Sequence, residues 1–226
     1  MSDASGITAP AEDYLKAIYD IERGGGAAAT NDIAARLGIA AASVSGMIRR
    51  LADQGLISHE RYKGTRLTAA GRKAALRTIR RHRVIESYLA RALGYPWDRV
   101  HEEAERLEHA ASDELVDRMA RAIGEPAIDP HGAPIPTREG HVDETPLRTL
   151  LEARPGQRCR VVSVADEDAD LLRYVAKLGL RPGVEVEIVE RAPFDGPISL
   201  RIASHAESVQ IGAPLAELIR VSPVAD

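Results

Sequence analysis

Residues 30–54 read TNDIAARLGIAAASVSGMIRRLADQ, and this stretch decides the fold. Thr30 and Asn31 can cap a short helix over Asp32–Leu37, which Gly38 ends. After a tight turn a second helix is predicted over Ala42–Gln54, with Val44, Met47, Ile48 and Leu51 on one side and Gly55 as its stop. Upstream, Ala11–Glu22 carries Tyr14, Leu15, Ile18, Tyr19 and Ile21 at helical spacing and runs into Gly24-Gly25-Gly26. Downstream, Leu56–Glu60 and Arg66–Thr68 read as two strands around the turn Tyr62-Lys63-Gly64-Thr65. Helix, short helix, turn, helix and small hairpin is the order of a winged helix-turn-helix.

Beyond this unit a long helix is expected from Thr68 to about Leu93. Another opens at Pro96 and Trp97 and reaches Ala110, and a third covers Ser112–Ile123. Leu115, Val116, Met119 and Ile123 share one side of that third helix, which suits either part of a dimer surface or an internal core. Residues 124–146 hold five prolines and read as a linker. Past it the apolar period falls from 3.6 to 2, with Val184, Val186 and Ile188 alternating with Glu185 and Glu187, and Ile198, Leu200 and Ile202 alternating with Ser199 and Arg201. With Arg158–Val164 and Leu218–Val221 this predicts a small five-stranded barrel carrying one helix, Ala169–Leu178. The expected class is mainly α with a small β domain. Its segments are 1–74 for DNA binding, 75–140 for a helical metal-binding and dimerisation domain, and 147–224 for an SH3-like barrel.

The 226 residues are 44% hydrophobic but only 4% aromatic, so the cores must be aliphatic and rich in alanine, which favours helices. Cys159 is the single cysteine, which excludes an internal disulfide and any multi-cysteine zinc site. It is expected to be a small buried side chain rather than a nucleophile. The sequence shows neither a bilayer-length apolar run nor a signal-peptide pattern, so a cytoplasmic setting is expected. Net charge is −4, but the average hides a pattern. Between Arg36 and Arg83 there are twelve Lys/Arg and two acids, a local net of +10, while the remainder carries 18 basic and 32 acidic residues. One region is made for a polyanion and another for cations.

A recognition helix needs short side chains at its N-terminal turn, where the backbone approaches the groove, and arginines beyond it for phosphates. Ala41, Ala42, Ser43, Ser45 and Gly46 fill that turn, followed by Arg49 and Arg50. No Asn, Gln or Arg in the first turn offers bidentate base reading, so methyl contacts, shape reading and phosphate contact are expected. The wing offers Arg61, Lys63 and Arg66 to the backbone or minor groove.

The cation-binding region lies farther on. His82 and Glu86 are spaced i, i+4, and on the next helix His101, Glu105, Glu108 and His109 fall within an arc of about 100°, forming one polar stripe. Such a stripe also occurs as solvated surface pairs, so alone it leaves two readings open; beside a DNA-binding unit, metal binding is the expected one. Imidazoles and carboxylates without sulfur suit Mn²⁺ or Fe²⁺ rather than a thiolate-selected metal.

These residues also carry a resemblance. Glu12-Asp13-Tyr14-Leu15-Lys16-Ala17-Ile18-Tyr19, Ser43-Val44-Ser45-Gly46-Met47, Arg81-His82-Arg83, the run from His101 to His109 and His131-Gly132-Ala133-Pro134-Ile135-Pro136 all match one pattern. The chain resembles the diphtheria-toxin-repressor family of iron- and manganese-dependent repressors over essentially its whole length, with the barrel similar to the SH3-like (FeoA-like) domain of its longer members. The resemblance implies a primary metal site of Asp13, Glu105, Glu108 and His109. It also implies an ancillary site of His82, Glu86 and His101, completed by a barrel acid, Asp168 before Asp166. Two Mn²⁺ or Fe²⁺ sites per chain follow. Asp13 and Glu105 stand where iron-responsive members carry Met and Cys, as in manganese-responsive members, but Lys16 replaces a further carboxylate of the latter and argues against their two-manganese cluster.

The function implied is a metal-dependent repressor, a homodimer on palindromic double-stranded operator DNA that controls metal-homeostasis genes. Neither membrane nor small-molecule substrate is expected. Two rival classes are a metal-independent winged-helix regulator with a small organic effector, and a metallohydrolase. The second would need an open coordination position and a general base, and the sequence carries no nucleophile motif or Gly-rich loop to support it.

Overall fold

The structure, a computed structural model, describes residues 7–60, 63–166, 168–194, 196–203 and 208–224. Contacts divide the chain into two compact units, residues 1–82, 106–117 and 136–142 in the first and 83–105, 118–135 and 143–226 in the second. The division runs through the middle of the chain, so the segment 75–140 contributes to both.

The first unit is built on α1 (Ala9–Arg23), α2 (Thr30–Leu37), α3 (Ala41–Asp53) and the antiparallel hairpin β1 (Ile57–Glu60) with β2 (Gly64–Leu67). Proline at the start of α1 uses a position whose N–H has no helical partner. α2 begins earlier than predicted, with Ala29 at its N-cap and no side-chain cap, so Thr30 and Asn31 lie inside the helix. Apolar faces of these elements meet in one core of Leu15, Ile18, Tyr19, Ile33, Val44, Ile48, Leu51 and Ile57. The long helix α4 (Ala69–Leu93) starts against this core: Thr68 Oγ1 accepts from Gly71 N–H at 3.1 Å, and Ala75, Leu76 and Ile79 are buried in it.

The next helix is shorter at both ends than the sequence suggests. Pro96 and Arg99 close only a single turn, and α5 runs Val100–Leu107. Glu108 and His109 stand in the turn that follows, where Ala110 and Ala111 N–H both reach the Leu107 carbonyl at 3.0 Å. α6 covers Asp113–Ala122.

The second unit centres on β3 (Arg148–Thr149), β4 (Arg158–Val164), β5 (Glu185–Arg191), β6 (Ile198–Ile202), β7 (Val209–Ile211) and β8 (Ile219–Pro223). The strands pair antiparallel in the order β3-β8-β4-β5-β6-β7, six rather than the five predicted. Neither the two-residue β3 nor the three-residue β7 was placed from sequence, each being too short to show a period of two. α7 (Ala169–Lys177) covers a core of Leu150, Val161, Leu172, Leu180, Ile188, Ile198 and Leu200, in which Cys159 is also buried. A short helix, α8 (Ala213–Glu217), precedes β8.

The proline-rich stretch is not a solvated linker. Asp129 and His131 are buried, and Val164 N–H donates to the His131 carbonyl at 3.0 Å. Gly132 makes this close approach possible: its φ is +90°, and a Cβ there would meet the Val162 carbonyl oxygen at 1.9 Å. The prolines fix the path of a chain that docks on β4. Among the described residues no helix is long and apolar enough to cross a membrane.

Candidate metal centres and nucleic-acid interface

In the first unit α1, α4 and the turn after α5 bring titratable side chains together. His109 is clamped between neighbours on α1, with Nε2 2.8 Å from Asp13 Oδ1 and Nδ1 2.7 Å from Glu12 Oε2. Glu108 is fully buried and lies 3.5 Å from His109 Nε2. Lys16 Nζ donates to both Glu108 oxygens at 3.2 Å, and His82 Nδ1 meets Glu108 Oε2 at 2.6 Å. Asp13, Glu108 and His109 each offer a ligand atom within 4.8 Å of the others. Asp13 and Glu12 beside the imidazole push His109 up to about 10 against the opposing effect of burial, so at neutral pH it is an imidazolium. That proton and the Lys16 ammonium balance the carboxylates, as a cation would.

In the second unit a different set converges. His131 Nδ1 lies 3.7 Å from Glu86 Oε1 and 3.6 Å from Asp166 Oδ2. His101 Nδ1 approaches the same two acids, at 3.4 Å from Glu86 Oε1 and 3.9 Å from Asp166 Oδ2. Glu86, Asp129 and His131 offer ligand atoms within 4.8 Å of one another, all three buried. The other ring nitrogen, His131 Nε2, is 2.7 Å from the Trp97 carbonyl, which can only accept, so Nε2 carries a proton. Nδ1 is therefore the nitrogen aimed at the acids, and it is buried with no hydrogen-bond partner among the described residues. Burial alone would lower His131, but Glu86, Asp166 and Asp129 outweigh it and push the imidazole up to about 9. Burial, with Glu86 adding to it, pushes the Asp129 carboxyl up to about 7. An unbonded imidazole nitrogen facing carboxylates, without sulfur, fits a cation that accepts hard oxygen and nitrogen donors.

The residues singled out from sequence are thus distributed between the units. Asp13, Glu108 and His109 come together in the first, where His82 Nδ1 also meets Glu108. Glu86 and His101 come together in the second with Asp166. Asp168, ranked above Asp166 from sequence, is exposed and caps α7, its Oδ1 accepting from Asp170 and Leu171 N–H. Glu105 lies in the second unit, its Oε1 3.8 Å from His101 Nε2. Asp129, His131 and Glu12 were missed. The first two sit in the proline-rich stretch, whose Asp-Pro-His-Gly run (129–132) is the one local signal: Asp129 Oδ1 accepts from His131 and Ala133 N–H at 2.9 Å, a side-chain-stabilised turn.

Most side chains expected from sequence to contact DNA are exposed in the first unit. Ala41, Ala42, Ser43, Ser45, Gly46, Arg49 and Arg50 are all exposed on α3, whereas Val44, Ile48 and Leu51 turn into the core. Lys63 and Arg66 are exposed on the hairpin, with Lys63 Nζ 2.6 Å from Glu60 Oε2; Arg61 lies outside the described residues.

Comparison with known proteins bears on both features. Residues 7–65 match the model of the iron dependent repressor N-terminal DNA binding domain, and residues 68–137 that of the iron dependent repressor metal binding and dimerisation domain. Residues 148–223 match the FeoA domain. The iron-dependent repressor IdeR of Mycobacterium tuberculosis is 31% identical over 225 residues, covering 94% of this chain and 96% of its own. The diphtheria toxin repressor of Corynebacterium diphtheriae is 30% identical, with 93% and 95% covered. Among solved structures, a manganese-dependent transcriptional repressor in complex with manganese superposes with a TM-score of 0.87 at 40% identity, covering 95% of this chain and all of that one. ScaR with bound Zn²⁺ superposes with a TM-score of 0.83 at 31% identity, covering 95% and 99%.

Proposed function

The chain belongs to the iron-dependent repressor family, and from that premise we propose that it is a metal-activated transcriptional repressor, not an enzyme, acting in the cytoplasm as a homodimer on palindromic operator DNA. Mn²⁺ or Fe²⁺ is the co-repressor, and the genes controlled are those of metal homeostasis. The observation that carries this reading is the cluster of Asp13, Glu108 and His109, which draws on both the helix preceding the reading head and the turn after α5.

Asp13, Glu108 and His109 form the primary set, with Glu105, three and four residues ahead of Glu108 and His109 in sequence, as its fourth member. His82 supports Glu108 from outside. The second set is Glu86, Asp129, His131 and Asp166, with His101 at its edge; Asp168 is left to cap α7. A bound divalent ion supplies a compact double positive charge that hard carboxylate and imidazole donors accept. To hold such an ion His109 would have to lose its proton, and Nε2, beside Asp13 and Glu108, would then offer its lone pair. Shared between α1 and the turn after α5, such an ion would favour one arrangement of the reading head to the extent that this arrangement binds it better than its alternatives. Two α3 helices of a symmetric dimer meet two half-sites, and α6, with Leu115 exposed, supplies part of the dimer surface.

The test is binding of metal-stripped protein to DNA from upstream of its own gene, titrated anaerobically with Mn²⁺, Fe²⁺ and Zn²⁺ in turn. Tight binding only with metal is expected, and the order of midpoints identifies the co-repressor. DNA binding that ignores a chelator would sink the reading and favour an organic effector. In the same assay Glu105→Ala is expected to raise the midpoint by at least about tenfold, because removing even a supporting group costs that much at metal sites.

A further inference from the structure

Glu12 stands next to a primary ligand but is itself turned elsewhere. It is buried on α1, and both of its oxygens are committed: Oε1 accepts from Arg81 Nη1 at 3.0 Å, and Oε2 meets His109 Nδ1 at 2.7 Å. Arg81 is buried too, and its Nε donates to Asp113 Oδ1 at 3.0 Å. Arg77 Nε holds the other oxygen of Asp113 at 2.8 Å. Glu12 is thus the inner end of a chain of charge-assisted bonds running from the first turn of α6 through α4 to His109.

Neighbouring residues of a helix diverge by about 100°, so Glu12 and Asp13 can address opposite nitrogens of one ring. An imidazole has two nitrogens, and which one ligates is decided by the partner of the other. Here Nδ1 is taken by a carboxylate whose place is fixed by a buried guanidinium.

Resting on the primary-site reading above, we infer that Glu12 is a positioning residue of that centre: gripped by Arg81, it accepts the Nδ1–H of His109 and so leaves Nε2 as the ligating nitrogen. Glu12 does not itself ligate. Its carboxylate fixes the ring plane and raises the basicity of Nε2, and Arg81 fixes the carboxylate. The sequence does not announce this role, because Glu12 precedes Asp13 at a spacing that reads only as an acidic first turn.

The experiment compares the full chain with Glu12→Gln and Glu12→Ala. Mn²⁺ affinity is measured by competition with a fluorescent chelator, and the His109 ring nitrogens by ¹⁵N NMR of the Zn²⁺-loaded protein. Loss of a supporting carboxylate at a metal-bound imidazole weakens affinity on the order of 10–100-fold, and that range is expected for Glu12→Ala. Glu12→Gln keeps an acceptor for Nδ1–H without its charge, so it should fall between wild type and Glu12→Ala. The loaded wild type should show a slowly exchanging Nδ1–H that Glu12→Gln retains and Glu12→Ala loses. Wild-type affinity with an unchanged Nδ1–H signal in a folded Glu12→Ala protein overturns the inference. Should Glu12→Ala fail to fold, wild-type affinity in Glu12→Gln overturns it equally. A wild-type protein whose His109 nitrogens do not shift with Zn²⁺ overturns instead the primary-site assignment on which the inference rests.

Discussion

The two candidate metal clusters use the same side-chain types but balance their charge differently. Around Asp13, Glu108 and His109 the acids already have permanent cations: Lys16 sits on Glu108 and Arg81 on Glu12. In the second cluster three acids, Glu86, Asp129 and Asp166, face the imidazoles of His131 and His101, and the Arg83 guanidinium is 3.5 Å from Asp129. The first cluster can hold its shape without metal. The second gathers more acidic charge, which protons or a cation relieve, because taking charges out of water costs several kcal/mol per ion. A compensated cluster suits a reversible sensor, and an uncompensated one suits an ion that stays and stabilises its domain.

The largest effect is expected at Glu108, where the comparison can be broken outright. Glu108→Ala should abolish metal-dependent operator binding and destabilise the metal-free chain by about 3–5 kcal/mol, because it removes the buried acid that Lys16 and His82 both meet. Denaturant unfolding of the stripped protein measures this; a loss under about 1 kcal/mol would mean that the cluster is not held by its own cations. Asp129→Asn should do the opposite to stability. Removing one acid from the crowded cluster should stabilise the metal-free chain on the order of 1 kcal/mol while removing the stabilisation that Mn²⁺ gives. Thermal unfolding with and without Mn²⁺ separates the two, and destabilisation in both states would erase the contrast.

The pH dependence sharpens it. His109 is raised to about 10 and His131 to about 9 from an ordinary 6.5, so the stability each contributes to the metal-free fold is complete below about 6.5 and is lost as pH climbs through those values. Asp129, raised to about 7 from 3.8, loses its contribution earlier, between those two values. Metal binding must displace such protons, so Mn²⁺ affinity should rise with pH from 6.5 to 9 while metal-free stability falls. Calorimetry in buffers of different ionisation enthalpy counts the protons released, and an affinity flat with pH would contradict both assignments. The smallest effect lies outside the clusters. Arg50→Ala should weaken operator and random DNA alike and reduce the salt slope by about 1, as expected for one phosphate contact. An effect confined to one sequence would assign Arg50 to base reading instead.

The reading head was legible because its signals are local: Gly38 and Gly55 stop helices, and Val44, Ile48 and Leu51 recur at one face. The alternation in β5 and β6 was legible for the same reason. Glu108 and His109, singled out as part of a helical stripe, stand beyond its end at Leu107, yet the turn there still brings both side chains beside Asp13. Asp129 and His131 were not legible. Their burial comes from the docking of residues 128–134 on β4, a contact between residues some thirty apart, and prolines at 126, 130, 134 and 136 resemble those of an extended spacer. That Asp166 rather than Asp168 lies beside His101 and His131 likewise depends on the start of α7, which takes up Asp168 as a cap.

Trp97 is the only tryptophan in the chain. Its carbonyl meets His131 Nε2, its ring centroid is 5.5 Å from that of His131, and the Arg181 guanidinium lies 4.6 Å from the indole. The protein therefore carries one indole fluorophore, and it lies tilted against a member of only one of the two candidate clusters. A paramagnetic ion arriving there must dim the indole emission, while occupancy of the other cluster is silent in that channel. The order in which the clusters fill can be followed by eye of the spectrometer alone, in unlabelled protein.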